Sequence, residues 1–126
     1  MLVLNTVKNT FVTSGETDIW QYIPRNHTYF HWFKVAGFSY CTCKDIYRFM
    51  NIGDELLLKR EFDNAHDPNA IAVYYEGLKL GYVPRRINMQ FVGKMDEGCS
   101  LTAIVVSISP PPMDNEERIG VRVFIK

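Results

Sequence analysis

"GDELLLKREFDNAHDPNAIAVYYEGLKLGYVPRRI", residues 53–87, holds a run of extended segments with their loops, and its reading decides the fold. Over residues 55–62, Leu56 and Leu58 share one face while Leu57, Lys59 and Glu61 share the other, the pattern of a half-buried strand. Ile71, Val73 and Tyr75 alternate in the same way against Ala72, Tyr74 and Glu76. Glu76-Gly77 then leads straight into 78–83, so the pair predicts a β-hairpin.

The flanks extend this pattern. Upstream, "TYFHWFKVAGF" (28–38) is dense in the aromatic and β-branched residues that suit a pleated surface, and it predicts a strand. Tyr29, Phe30, Trp32, Phe33 and Phe38 are expected in its core. "CTCKDIYRFMNIGDE" (41–55) is a connection with a short helical turn around residues 45–49, closed by Gly53-Asp54. Downstream, Pro84 suits the first turn of a helix. Ile87, Phe91, Val92 and Met95 follow at helical spacing, with Gly98 at the position of a left-handed C-cap. "SLTAIVVSIS" (100–109) and "RIGVRVFIK" (118–126) predict two closing strands around Pro110, Pro111 and Pro112. About six strands and one principal helix, with a second short helical turn, predict a mainly β fold. Closure into a small barrel is the expected arrangement, because it disposes of the sheet's edges.

Length and composition set the outer limits. The chain has 126 residues, 47% of them hydrophobic, enough for one compact domain with one core. Formal charge sums to zero, so any attraction to nucleic acid comes from a local patch and nonspecific coating of DNA is not expected. The longest apolar run falls far short of the roughly 20 residues of a membrane span. Met1-Leu2-Val3-Leu4 turns polar at once and lacks signal-peptide character, and three cysteines make no self-contained disulfide framework. A cytoplasmic protein that does not enter membranes is expected. Residues 1–27, including "NTFVTSGETDIW" (9–20), carry only short extended signals and are expected to form an extension packed on the domain of residues 28–126.

The chemistry concentrates at loop ends. In "NAHDPNA" (64–70), Asn64, Asp67 and Asn69 are turn-formers whose side chains bond nearby backbone, and Pro68 fixes a turn dihedral. A purely structural turn would use the same residues. The functional alternative is a loop presenting a ring nitrogen, a carboxylate and amides at one rim of the barrel, where ligands bind. Arg85 and Arg86, placed in the first helical turn, oppose the helix dipole by roughly 0.3–1 kcal/mol each, so stability alone would not choose them. Free N–H groups beside an arginine make a phosphate site, against the alternative of solvated surface cations. Asp96 and Glu97 are also placed against the dipole at the other end. Tyr40 can stack on a base or pack in the core. Tyr74 and Tyr82 remain open between the same two roles.

Other chemistries find less support. Cys41 and Cys43 with Cys99 or His66 could ligate zinc, but a lone C-x-C lacks the paired spacing of a zinc module. A Cys, His66 and Asp67 hydrolase is disfavoured because neighbours on an extended chain point apart. No G-x-x-x-x-G-K-[ST] loop occurs, so ATP chemistry would have to come from a partner. No metal, cofactor or catalytic residue is expected.

"FKVAGFSY" (33–40), "GDELLLKREFDNAHDPNAIAVYY" (53–75) and "KLGYVPRRI" (79–87) together resemble the HIRAN domain family, in register over about residues 34–101. These domains occur at the front of certain remodelling ATPases and as stand-alone bacterial proteins. The resemblance implies a six-stranded barrel of the OB-like or SH3-like kind that binds single-stranded DNA at a free 3′-hydroxyl end. In the best-understood member of the family an aromatic pair sandwiches the terminal base, an aspartate engages the terminal hydroxyl and basic residues hold phosphate. Carried over, Tyr40 matches one aromatic, Asp67 the aspartate, Asn64 a polar contact and Arg85 a phosphate contact. His66 stands where the second aromatic would be, and Ser39 replaces an arginine. The candidate interface is therefore Tyr40, Asn64, His66, Asp67, Asn69, Tyr82, Arg85 and Arg86. The expected function is nucleic-acid binding at single-stranded DNA or DNA 3′ ends in repair or replication, beside a helicase or nuclease partner. The alternative is a protein-interaction module on the same barrel.

Overall fold

The computed structural model describes residues 26–40 and 44–126. The expected extension, residues 1–27, lies outside the described residues except for its last two, as do Cys41 and Cys43.

Every strand predicted from 28 onward forms. They are β1 (Thr28–Lys34), β2 (Glu55–Arg60), β3 (Ile71–Tyr75), β4 (Leu78–Tyr82), β5 (Leu101–Ile108) and β6 (Ile119–Ile125), with one α-helix among the described residues, α1 (Asn88–Asp96). Short 3-10 turns at Phe38–Tyr40, Lys44–Phe49 and Asn115–Glu117 complete the order, the second covering the turn expected near 45–49. All neighbouring strands are antiparallel, in the order β1-β6-β5-β2-β3-β4.

The sheet curls because β2 changes partner along its length. Glu55 and Leu56 pair with Ile104 and Ala103 of β5, whereas Leu57 to Arg60 pair with β3. Bulges bend it further: Leu80 is the extra residue opposite Val73 and Tyr74 in β4, and Phe30 the extra one in β1. The expected closed barrel is thereby corrected, since β1 and β4 do not pair as strands. A single isolated bridge, Ala36 to Tyr82, links the two ends of the sheet through reciprocal N–H···O bonds of 2.8 Å. The physical reason is that β1 ends at Lys34, leaving only Ala36 to reach β4.

Local chemistry explains the connections. Glu76 and Gly77 both have positive φ (47° and 86°), the type I′ hairpin turn for which glycine is suited. Helix α1 ends in a Schellman motif: Cys99 N–H bonds Lys94 C=O and left-handed Gly98 bonds Met95 C=O. Asp96, placed against the dipole, is paired with the Arg60 guanidinium, which explains its position. Buried Arg118 holds the proline loop by donating to Ser109 O and Asn115 Oδ1.

The core gathers Phe33, Val35, Phe38, Ile71, Val73, Leu80, Val105 and Val121 beneath Phe91 and Val92 of α1. Phe30, His31 and Phe33 all meet the Phe91 ring, at 5.1, 5.4 and 5.7 Å. Strict alternation would send Phe30 to the other face; the bulge brings it in. The same bulge puts Tyr29 on the outer face with Trp32. Both were expected in the core, and both are about half exposed, 50% and 52%.

A Cβ added at Gly81 would lie 2.2 Å from the Ala36 carbonyl oxygen, a backbone atom of the bridge itself. Gly81→Ala is therefore expected to destabilise the domain by about 1–3 kcal/mol, read as a lower urea midpoint. A midpoint equal to wild type would show that the bridge tolerates separation.

Candidate nucleic-acid interface

The loop between β2 and β3 is organised by its own side chains. Asn64 Oδ1 accepts from the N–H groups of His66 (2.8 Å) and Asp67 (3.0 Å), while Asp67 Oδ1 accepts from Asn69 N–H (2.9 Å). Ala70 N–H closes the turn onto the Asp67 carbonyl. The structural-turn reading thus holds for the side chains of Asn64 and Asp67, Asn69 contributing only its backbone N–H, and it leaves one carboxylate oxygen over. Asp67 Oδ2 accepts from the Asn88 side-chain amide at 2.9 Å and lies 3.6 Å from Arg85 Nε. Arg85 also reaches the His66 carbonyl at 3.5 Å. The Asn69 N–H, then the Asn88 amide, then the Arg85 charge hold the Asp67 carboxyl below the usual carboxylate range.

A second network supports the loop from below. Glu61 accepts from Asn64 Nδ2 (3.0 Å) and Tyr82 OH (2.9 Å), and its other oxygen pairs with Lys79 at 2.6 Å. Burial pushes the Glu61 carboxyl up, but the Lys79, Asn64 and Tyr82 hydrogen bonds together outweigh it and its pKa falls. Lys79 is raised in turn, chiefly by its bond to Glu61.

Asn64, His66, Asp67, Tyr82, Arg85 and Asn88 line one open groove of about 360 Å³, walled by Ala36 and Gly37. The remaining candidates stand apart from it. Asn69 contributes its backbone N–H to Asp67 without lining the groove. Tyr40, 89% exposed, sits on the 3-10 turn three residues beyond Gly37, outside the lining. Arg86 lines a different groove, together with Trp32 and Pro84.

The placement of both arginines corrects the helical expectation. Helix α1 begins at Asn88, and residues 85–87 form a turn before it, with Ile87 N–H bonded to Pro84 C=O. Arg85 and Arg86 thus precede the helix rather than occupy its first turn, and the dipole argument does not apply to them as stated. The groove's helical contribution is instead Asn88, 3% exposed, whose amide reaches Asp67. Sequence reasoning missed Asn88 and Glu61. A polar residue after an arginine pair reads as solvated surface, and only a partner 21 residues away gives it a buried role.

Of the zinc candidates, Cys41 and Cys43 lie outside the described residues; Cys99 is half-buried and free. Among the described residues no cluster of His, Cys, Asp or Glu has metal-binding geometry, and no helix is long and apolar enough to cross a membrane.

A curled six-stranded sheet with a polar, charged groove beside helix α1 makes up a small β-rich domain. Residues 29–126 match the HIRAN domain, and the chain belongs to that family, a type of nucleic-acid-binding module. A crystal structure of a protein from Lactobacillus plantarum is similar at 28% identity and a TM-score of 0.66, covering 79% of this chain and 94% of that one. The HIRAN domain of human HLTF is similar in fold, with a TM-score of 0.59 at 19% identity, covering 79% and 78%. No curated protein matches the chain.

The Glu61 network makes a pH prediction. Its pKa is depressed below the ordinary 4.5, so its stabilisation is complete above that value and is lost as pH falls through the lower folded value. Glu61→Gln is expected to cost about 1 kcal/mol at pH 7, a figure reduced because Lys79 is partly exposed. In urea titrations the gap between wild type and variant should hold down to about pH 5 and narrow progressively below it. A gap that stays constant to pH 3 would exclude Glu61 ionisation as its source.

Proposed function

We propose that the Asp67 groove binds nucleic acid, and that it takes the free 3′-hydroxyl end of single-stranded DNA. One observation carries this reading: a carboxylate locked in place by Asn69 and Asn88 opens into a groove beside the exposed guanidinium of Arg85. A carboxylate accepts readily from a sugar hydroxyl and repels phosphate, whereas an arginine donates to phosphate in pairs. Together they favour a strand end over an internal phosphodiester.

In this reading Asp67 accepts the terminal hydroxyl and Arg85 meets the adjoining phosphate. Asn64 and Asn69 act as positioning residues for the loop, and Glu61 through Tyr82 stiffens the groove wall. Tyr40 and His66, both exposed, flank the terminal base as a stacking pair, with the imidazole a smaller platform than a phenol ring. Binding to so few phosphates has a shallow salt dependence. The domain recognises an end in a repair or replication setting, and a helicase or nuclease partner supplies the chemistry.

The test is fluorescence anisotropy with a labelled short strand ending in a 3′-hydroxyl or a 3′-phosphate. Wild type is expected to prefer the hydroxyl by about tenfold, the worth of one hydrogen bond to a charged group. Asp67→Ala should abolish the preference, and Arg85→Ala, a change at an exposed side chain, should weaken both strands. Equal binding to both strands by wild type would mean a general single-strand binder. Binding to neither would reject the proposal and turn attention to the apolar groove around Leu57, which is 62% exposed beside Tyr74 and Leu101.

A further inference from the structure

The groove that holds Arg86 has a volume of about 450 Å³ and is lined by His31, Trp32, Lys34, Arg86, Glu116 and Glu117 among others. It is continuous in construction with the Asp67 groove. Ala36 lines both, and the consecutive residues Arg85 and Arg86 line one each. Two of its side chains have no evident work in holding the fold. Trp32 is 52% exposed, although an indole is usually well buried. Arg86 is exposed and makes no hydrogen bond or ion pair with another described residue.

The acidic residues constrain what the groove accepts. Lys34 lies 4.0 Å from Glu117, and Glu116 accepts from Gly37 N–H at 3.3 Å. Lys34 and Arg86 thus balance Glu116 and Glu117, and a polyanion spread along the whole groove gains nothing from its net charge. Phosphate is favoured only at the Arg86 edge. The carboxylate wall suits a hydrogen-bond donor, and the exposed indole suits a flat ring. A nucleotide has all three parts: a phosphate for Arg86, a π-face for Trp32, and on cytosine an exocyclic amine that donates to carboxylate.

We infer that this groove takes the nucleotide next to the strand end, its base stacked on Trp32, its phosphate on Arg86 and its exocyclic amine facing Glu116. The inference rests on the strand-end reading of the Asp67 groove. Arg85 and Arg86 then hold successive phosphates from the two sides of one turn. Cytosine is preferred over thymine at the penultimate position, since thymine offers the carboxylates no amine.

The experiment uses the chain with Trp20→Phe, which leaves Trp32 as its one indole. Indole fluorescence is titrated with 3′-hydroxyl tetranucleotides carrying dC or dT next to the end, and Trp32→Ala, Arg86→Ala and Glu116→Gln are compared by anisotropy. Saturable quenching is expected, stronger with dC. Trp32→Ala and Arg86→Ala should each bind about tenfold more weakly while keeping their preference for a 3′-hydroxyl over a 3′-phosphate. Glu116→Gln should level dC with dT. If the end preference persists but quenching is absent and the Trp32 and Arg86 variants bind like the parent, the second site is wrong and the first stands. If the parent shows no end preference at all, the strand-end reading falls and this inference falls with it.

Discussion

The Ala36–Tyr82 bridge is the contact on which the rest of the architecture depends. Two backbone hydrogen bonds of 2.8 Å join the chain leaving β1 to the end of β4, the two ends of a six-stranded sheet. They form because Gly81 has no side chain where the Ala36 carbonyl must come. That approach sets Ala36 and Gly37 opposite the Asn64–Asp67 loop and makes a groove between them. The same bridge fixes Tyr82, and two residues later Pro84 starts the turn that sends Arg85 and Arg86 into separate grooves. The meeting of the sheet's two ends and the candidate interface therefore share this bridge.

Polar residues here hold several parts of the fold at once, each with different atoms. Asn64 uses its oxygen to cap two backbone N–H groups and its amide to reach Glu61. Asp67 uses Oδ1 to hold its own loop and Oδ2 to reach across to the helix and Arg85. A buried amide left without an acceptor is costly, so Asn88 and Asp67 tie the start of α1 to the loop. This makes the carboxylate an acceptor already fixed by the fold, and under the proposed function that lowers the entropic cost of binding.

Electrostatic neutrality is compatible with this arrangement because the charges are placed rather than accumulated. The formal net charge is zero, yet Glu61 with Lys79, Asp96 with Arg60 and Glu117 with Lys34 pair off locally. Arg85 is shared with Asp67 but stays largely exposed, and Arg86 is unpaired among the described residues. A domain built this way has little attraction for DNA as a bulk polyanion.

Much of the fold was legible in the sequence because its determinants are local. Alternation marked β2 to β4, the Glu76-Gly77 pair set the hairpin, and Gly98 ended the helix, since a strand period, a positive φ and a C-cap depend on residues within a few positions of one another. The loop of Asn64, His66 and Asp67 could be singled out for the same reason, and the motif resemblance pointed to its chemistry. Tertiary structure alone decided the rest. A one-residue bulge at Phe30 turned Tyr29 outward, which aromatic density could not reveal, and packing left Trp32 exposed beside Arg86. The helix began at Asn88 rather than Pro84, so the two arginines parted and a buried amide joined the groove from 21 residues away. Closure of the sheet also fell to tertiary contact: with β1 ending at Lys34 it became a single bridge, because how far two edges overlap depends on the curl of the whole sheet and not on either strand.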